Sequence, residues 1–211
     1  PEKARQILAG GGYTQGDDGM MRAPDGTKIP TLYATCPSGW TDWEEALKIA
    51  VSGMRAAGID AREKFIEYPV FDKNLRNGLF DMCLWNPQPS VEPSLPWSRF
   101  VRVMSSRQWA PPGEVMYENH GRYRNPAADS LLAALPALSD PEEITKQYRK
   151  LNVLFMKELP VIPLMYRPWL FYQFSTVHWR NFPTAKNPYA PPQVSMIGAG
   201  VTALWEIKPS Q

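Results

Sequence analysis

The sequence predicts an α/β fold: a mixed, mostly parallel sheet with crossover helices and Pro-rich loops. Three observations carry this reading. Between residues 29 and 85, strand-like and helix-like runs alternate as strand, helix, strand, helix, strand, the order a parallel sheet with crossover helices requires. The chain has 211 residues, 44% of them hydrophobic, enough to bury the core of one large domain or two small ones. Its 22 prolines imply long ordered loops between the elements.

Residues 2–9 read as a helix with Ile7 and Leu8 apolar, stopped by Gly10-Gly11-Gly12. No signal peptide is visible, and a start partway along a helix suggests sequence upstream. Asp17-Asp18-Gly19 and Asp25-Gly26 are turn signals around Met20-Met21-Arg22 and predict a small hairpin. The ligand spacing of an EF-hand calcium loop is absent there. Residues 1–28 are therefore read as an incoming helix and hairpin, and residues 29–211 as the α/β lobe.

The first strand is expected over 29–36. Thr41-Asp42-Trp43-Glu44 has the Thr-x-x-Glu spacing of a capping box. It precedes a helix with Leu47, Ala50, Val51 and Met54 on one face and Gly58 as its stop. Residues 61–68 alternate charged and apolar side chains, which fits a strand less buried than its neighbours. A short helix over 71–77, ended by Gly78, leads to the strand 80–85. Residues 97–107 read as a helix with Trp97, Phe100, Val101 and Met104 opposite Arg99, Arg102 and Arg107. After a loop over 108–124, Asn125-Pro126 pairs an N-cap with proline at the first helical position, and Asp140-Pro141 repeats the device. The second of these helices is predicted to reach about residue 158, with Ile144, Tyr148, Leu151 and Phe155 as its apolar stripe. Residues 161–174 read as a strand or strand pair bent at Pro163 and Pro168, and 203–207 as a last strand.

A net charge of +2, with no run of Lys or Arg, argues against nucleic acid as a partner. No stretch has the length of a membrane span. Cys36 and Cys83 read as two buried thiols rather than a disulfide, and neither sits at metal-ligand spacing.

The organising stretch is 81–97. A short apolar run ends in a loop with four prolines, Asn86 and Gln88, and a Trp at each end, Trp85 and Trp97. Ligand crevices of parallel sheets lie beyond the carboxyl ends of the strands. That rule places Ser38, Gly39 and Trp40 beside Trp85, Asn86 and Gln88. Indole faces stack on the C–H surfaces of sugar rings, and amides both donate to and accept from hydroxyls. The enzyme templates are missing: no Gly-x-Ser-x-Gly elbow, P-loop, Gly-x-Gly-x-x-Gly or His-Glu-x-x-His. His120 and His178, the two histidines, have no obvious ligand partner. Asp81, Glu92 and Glu114 are the carboxylates a glycoside hydrolase would draw on, the rival reading. The cluster Tyr166-Arg167-Pro168-Trp169 reads mainly as structural.

The order of these elements, with Ala56-Ala57-Gly58-Ile59-Asp60, Phe71, Gly78-Leu79-Phe80-Asp81 and Trp85, resembles the C-terminal lobe of family 5 solute-binding proteins, receptors of ABC importers. Gly121-Arg122-Tyr123-Arg124-Asn125-Pro126 with Asp129, Leu131 and Leu132, and Leu159-Pro160-Val161-Ile162-Pro163-Leu164, extend the likeness over nearly the whole chain. The resemblance implies a periplasmic-binding-protein-like lobe whose partner, the N-terminal lobe, is not in this chain. It implies a periplasmic or extracellular location, free or tethered to the membrane, and a membrane permease as partner. Neither catalysis nor a cofactor or metal is implied. Peptide-binding members typically carry an Asp shortly after the Trp that ends the strand; here Asn86-Pro87-Gln88-Pro89 follows Trp85. Residues 179–192 look like the tail of members that bind cellobiose and related β-linked oligosaccharides. The expected ligand is therefore an oligosaccharide, with an oligopeptide as the alternative. Trp40, Trp85 and Trp97 are expected to stack on it, while Asn86, Gln88 and Asn119 bond its hydroxyls. A module that docks only on the permease is a third reading.

Overall fold

The computed structural model describes residues 1–86, 96–165, 174–190 and 198–210. It divides into two compact units, residues 1–162 and 163–211. The first unit holds a parallel three-stranded sheet. Its strands are β3 (Leu32–Pro37), β4 (Ala61–Ile66) and β5 (Met82–Cys83), ordered β4-β3-β5 with the strand that comes first in the sequence in the centre. Helix α2 (Thr41–Ala56) crosses from β3 to β4, and α3 (Tyr68–Asn77) crosses from β4 to β5. The α/β fold read from the sequence is the one found, with strands shorter than the apolar runs. Of the 80–85 run, only Met82 and Cys83 pair, opposite Ala34 and Thr35. β4 is the more exposed edge, as its mixed composition predicts.

The core beneath α2 comprises Ala34 and Cys36 of β3, Ala61 of β4, and Trp43, Leu47 and Val51 of the helix. Trp43, Leu47 and Val51 recur at helical spacing and form the buried stripe. The start of α2 differs from a capping box. Thr41 is already helical, and no side chain caps at Trp40, the residue before it. Glu44 instead accepts the Gly39 N–H at 2.7 Å. Its carboxylate thereby also sits at the positive end of the helix dipole.

Parallel pairing also decides the cysteines. Thr35 faces Cys83 across the ladder, so Cys83 shares the Thr35 face while Cys36 points to the other. Both thiols are free, and burial raises Cys36 to about 11 and Cys83 to about 12.

Helix α1 (Glu2–Gly10) precedes an antiparallel hairpin of β1 (Thr14–Gln15) and β2 (Met21–Arg22). The hairpin is tied to the sheet's connections, since Met21 N–H donates to Gly58 O at 2.7 Å. Residues 1–28 thus belong to the same compact unit as the sheet.

A second core is purely helical. It joins α4 (Pro96–Met104), α5 (Pro126–Ala134) and α6 (Pro141–Glu158) through Val101, Val103, Met104, Ala128, Leu132, Leu135 and Leu151. Both Asx-Pro starts cap as expected: Asn125 Oδ1 accepts from Ala127 N at 2.8 Å, and Asp140 Oδ1 from Glu142 N at 3.1 Å. Asp129 accepts hydrogen bonds from the backbone N–H and the hydroxyl of Ser106, tying α5 to the segment after α4.

Arg122 staples the 108–124 loop to the end of α3. Its guanidinium donates to the carbonyls of Ala110 at 2.7 Å, Arg76 at 3.1 Å and Glu114 at 2.9 Å. A cation beside the last carbonyls of a helix also suits the helix dipole. Gly78 closes α3 in the left-handed region at φ +65°, and a Cβ there would collide with the Arg122 guanidinium.

Unit two pairs β6 (Trp179–Arg180) antiparallel to β7 (Lys208–Pro209), with α7 (Gly198–Glu206) before β7. Residues 203–206, expected as a strand, are helical. The apolar run that suggests a strand there is also long enough for the end of a helix, an ambiguity that periodicity alone does not resolve. Nor is a strand formed at 161–165; the rest of that expected strand pair, with Tyr166, Arg167, Pro168 and Trp169, lies largely outside the described residues. Asn181 Nδ2 donates to Glu206 O at 2.6 Å and Asn187 Nδ2 to Asn181 Oδ1 at 2.9 Å, so amides organise this unit's turn.

Substituting Gly78→Ala is expected to cost about 1–3 kcal/mol in urea unfolding, from left-handed strain and the displaced Arg122. Gly53→Ala, inside α2 with open space at its Cβ, is expected to raise stability by about 0.5–1 kcal/mol. The pH dependence carries a second expectation. Burial, reinforced by Arg76 and Arg122 and opposed by Asp72, lowers His120 from 6.5 to about 4. The unfolded chain therefore binds the proton more readily. Stability is full above pH 6.5 and falls as pH drops toward 4. Denaturant midpoints measured across that window are expected to decline, and less steeply in His120→Gln.

Candidate ligand site

Parallel strands of matched register bring their exits to one level. Leu84 N–H donates to Thr35 O at 2.8 Å, so the chain leaving β5 runs alongside the end of β3. Pro37 ends β3, and Ser38, Gly39 and Trp40 make the turn into α2. Trp85 and Asn86 follow β5 at the same edge. This is the juxtaposition the crevice rule predicts.

The aromatic rings there form a connected group. Trp40 meets Trp43 edge-on, with centroids 4.8 Å apart and an 81° interplanar angle. Trp43 in turn meets Trp85 at 6.0 Å and 78°. Trp85 also touches Phe71 of α3 at 5.7 Å. On the other flank Trp40 stacks on Tyr68 at 5.6 Å and 16°. These distances lie in the favourable range for edge-to-face and offset-stacked pairs. Trp43 and Phe71 are buried, Trp40 and Trp85 are half-buried, and Tyr68 is exposed. The group is therefore a shelf with buried supports and an accessible upper rim.

Of the residues expected to bind, Trp40, Trp85 and Asn86 meet at this edge. Gln88 lies outside the described residues, as does Glu92. The structure takes Trp97 elsewhere, into the helical core: it packs on the α4–α5–α6 cluster and its indole N–H donates to Leu132 O at 2.9 Å. Asn119 is buried, at 3% exposure, and structural. Its Nδ2 donates to Ser105 O at 3.0 Å and Tyr123 O at 2.8 Å, and its Oδ1 accepts from Tyr123 N at 3.0 Å. A buried amide fully engaged with backbone leaves no donor for a hydroxyl. Its φ of +49°, a conformation asparagine tolerates, fits the turn it organises.

Sequence reasoning missed Trp43, Tyr68 and Phe71. For Trp43 a signal existed, since it lies four residues before Leu47 on the same helix face. The alternation over 61–68 predicts Tyr68 as the end of a strand; it is instead the first residue of α3, with Pro69 in the helix's first turn.

Neither described carboxylate of the hydrolase reading stands at the shelf. Asp81 stands before β5, at the amino end of the strands, where it accepts the Tyr33 N–H at 2.9 Å. Glu114 is in the loop stapled to the end of α3. Among the described residues no group of His, Cys, Asp and Glu is placed to hold a metal ion.

A parallel sheet flanked by crossover helices, with an aromatic shelf beyond its carboxyl edge, defines a periplasmic-binding-protein-like lobe. The family model described as bacterial extracellular solute-binding proteins, family 5 Middle, matches residues 1–106, and the chain belongs to that family. A periplasmic oligopeptide-binding protein of an oligopeptide ABC transporter from Thermotoga maritima, solved with bound mannohexaose, has a TM-score of 0.85 and 32% identity, covering 100% of this chain and 39% of its own. NikZ from Campylobacter jejuni, in complex with Ni(L-His), has a TM-score of 0.64 and 24% identity over 78% of this chain and 31% of its own. The oligopeptide-binding protein AppA from Bacillus subtilis, with a nonapeptide, has a TM-score of 0.61 and 20% identity over 75% and 30%. The last two show a shared fold. No curated protein matches the chain. The chain spans 39% of the length of the Thermotoga protein.

Trp43→Ala is expected to remove the support common to Trp40 and Trp85. The near-UV circular dichroism of the coupled indoles should collapse, with a stability loss of about 3–5 kcal/mol in denaturant titration.

Proposed function

We propose that this chain is a ligand-binding lobe of an ABC importer's solute receptor and that its ligand is a β-linked oligosaccharide of the cellobiose or β-glucan kind. The carrying observation is the Trp40–Trp43–Trp85 group at the strand exits with Asn86 beside it. Flat apolar rings next to an amide suit a neutral ring with C–H faces and hydroxyl edges. The 32%-identical Thermotoga protein holding mannohexaose supports the same class of ligand. In this reading the receptor works outside the cytoplasmic membrane, passes its ligand to a membrane permease, and transforms nothing. The rest of the receptor supplies a facing lobe, and closure of the two traps the sugar. Trp40, Trp85 and Asn86 are the proposed contacts among the described residues, and Gln88, two residues on in the sequence, is the further amide expected to bind.

The test is calorimetric titration of the chain with cellobiose, cellohexaose and a tripeptide. Weak saturable binding of the saccharides, absent for the tripeptide, is the expected result. Selective tripeptide binding would replace the sugar with a peptide as ligand. New reducing ends appearing in the cellohexaose sample would instead mark an enzyme.

A further inference from the structure

We infer that Tyr68, beside the tryptophans of the strand exits, presents a further and more open ring face on which a pyranose of the ligand stacks, with Trp40 as its backing; this rests on the oligosaccharide reading above. The ring faces left open by neighbouring rings differ across the group. Trp43 is buried at 6% exposure and serves as a support. Trp85 is held between Trp43 and Phe71, at 6.0 Å and 5.7 Å. Trp40 has Trp43 edge-on at 4.8 Å and Tyr68 nearly parallel at 5.6 Å, so much of its surface is already covered by protein rings. Among the described rings only Trp40 meets Tyr68, which is 44% exposed, the most accessible ring of the group.

Position adds to this. Tyr68 opens α3 directly after β4, so it rises from the third strand exit of the same sheet. The shelf thus draws on all three strands: Trp40 after β3, Tyr68 after β4 and Trp85 after β5. Pro69 restricts the backbone next to it, and the stack on Trp40 restricts the ring. A pre-ordered aromatic face loses little freedom when a sugar settles on it. Among the described residues the Tyr68 hydroxyl has no hydrogen-bond partner, which leaves it free to meet a sugar hydroxyl at the rim. Because Tyr68 is exposed and at a helix start, its replacement spares the core.

The experiment titrates the chain with cellohexaose in four forms: unaltered, Tyr68→Ala, Tyr68→Phe and Trp85→Phe. Thermal unfolding of each confirms folding. The inference expects Tyr68→Ala to weaken binding by about tenfold or more while Tyr68→Phe stays within about threefold, since the ring and not the hydroxyl carries the contact. Trp85→Phe, which keeps an aromatic support, is expected to change affinity less than Tyr68→Ala. Unaltered binding in a folded Tyr68→Ala protein overturns the inference and leaves the oligosaccharide reading standing. A loss as large in Tyr68→Phe as in Tyr68→Ala also overturns it, by assigning the contact to the hydroxyl. If the unaltered chain binds no saccharide at all, the oligosaccharide reading falls and this inference with it.

Discussion

The packing of Trp43 at the first turn of α2 is the constraint on which the site depends. Among the described residues it is the one ring in contact with both Trp40 and Trp85, which come from different strand exits. It is also the top of the buried stripe that continues through Leu47 and Val51 onto β3 and β4. The same side chain therefore belongs to the core and to the shelf. A shelf built this way inherits the rigidity of the core, since close-packed interiors transmit displacement rather than absorb it. Its geometry follows from the parallel register, which sets Leu84 beside Thr35 and brings the next residues of both strands out at one edge.

The opposite edge of the sheet has a different character. There Asp81 takes the Tyr33 N–H, and in the loop stapled to the end of α3 Arg122 bonds three carbonyls while Asn119 bonds two more and accepts an amide. Polar side chains whose donors and acceptors are filled by the protein hold loops in place and have little left for a ligand. The carboxyl edge offers half-buried indoles, an exposed phenol and the amide of Asn86. Asn119 and Asn86, identical in chemistry, thus stand in different surroundings.

Membership of the family 5 solute-binding proteins is consistent with that division. The rim of the shelf is formed by the half-buried Trp40 and Trp85 and the exposed Tyr68.

The sequence by itself determined the alternation of strands and helices, the two Asx-Pro helix starts, the stop at Gly78 and the meeting of Trp40 with Trp85 and Asn86. These follow from local rules: periodicity, capping chemistry, the backbone freedom of glycine, and the direction of parallel crossovers. The tertiary structure alone decided which aromatic is support and which is rim. Nothing local distinguishes Trp97, whose indole found a carbonyl in a helical core, from Trp85, whose ring found Trp43 and Phe71. Likewise the apolar residues 203–205 suit a strand or a helix, and periodicity alone does not choose between them. Exposure and the number of free ring faces are properties of neighbours brought from distant positions in the chain. A pattern of residue types does not contain them.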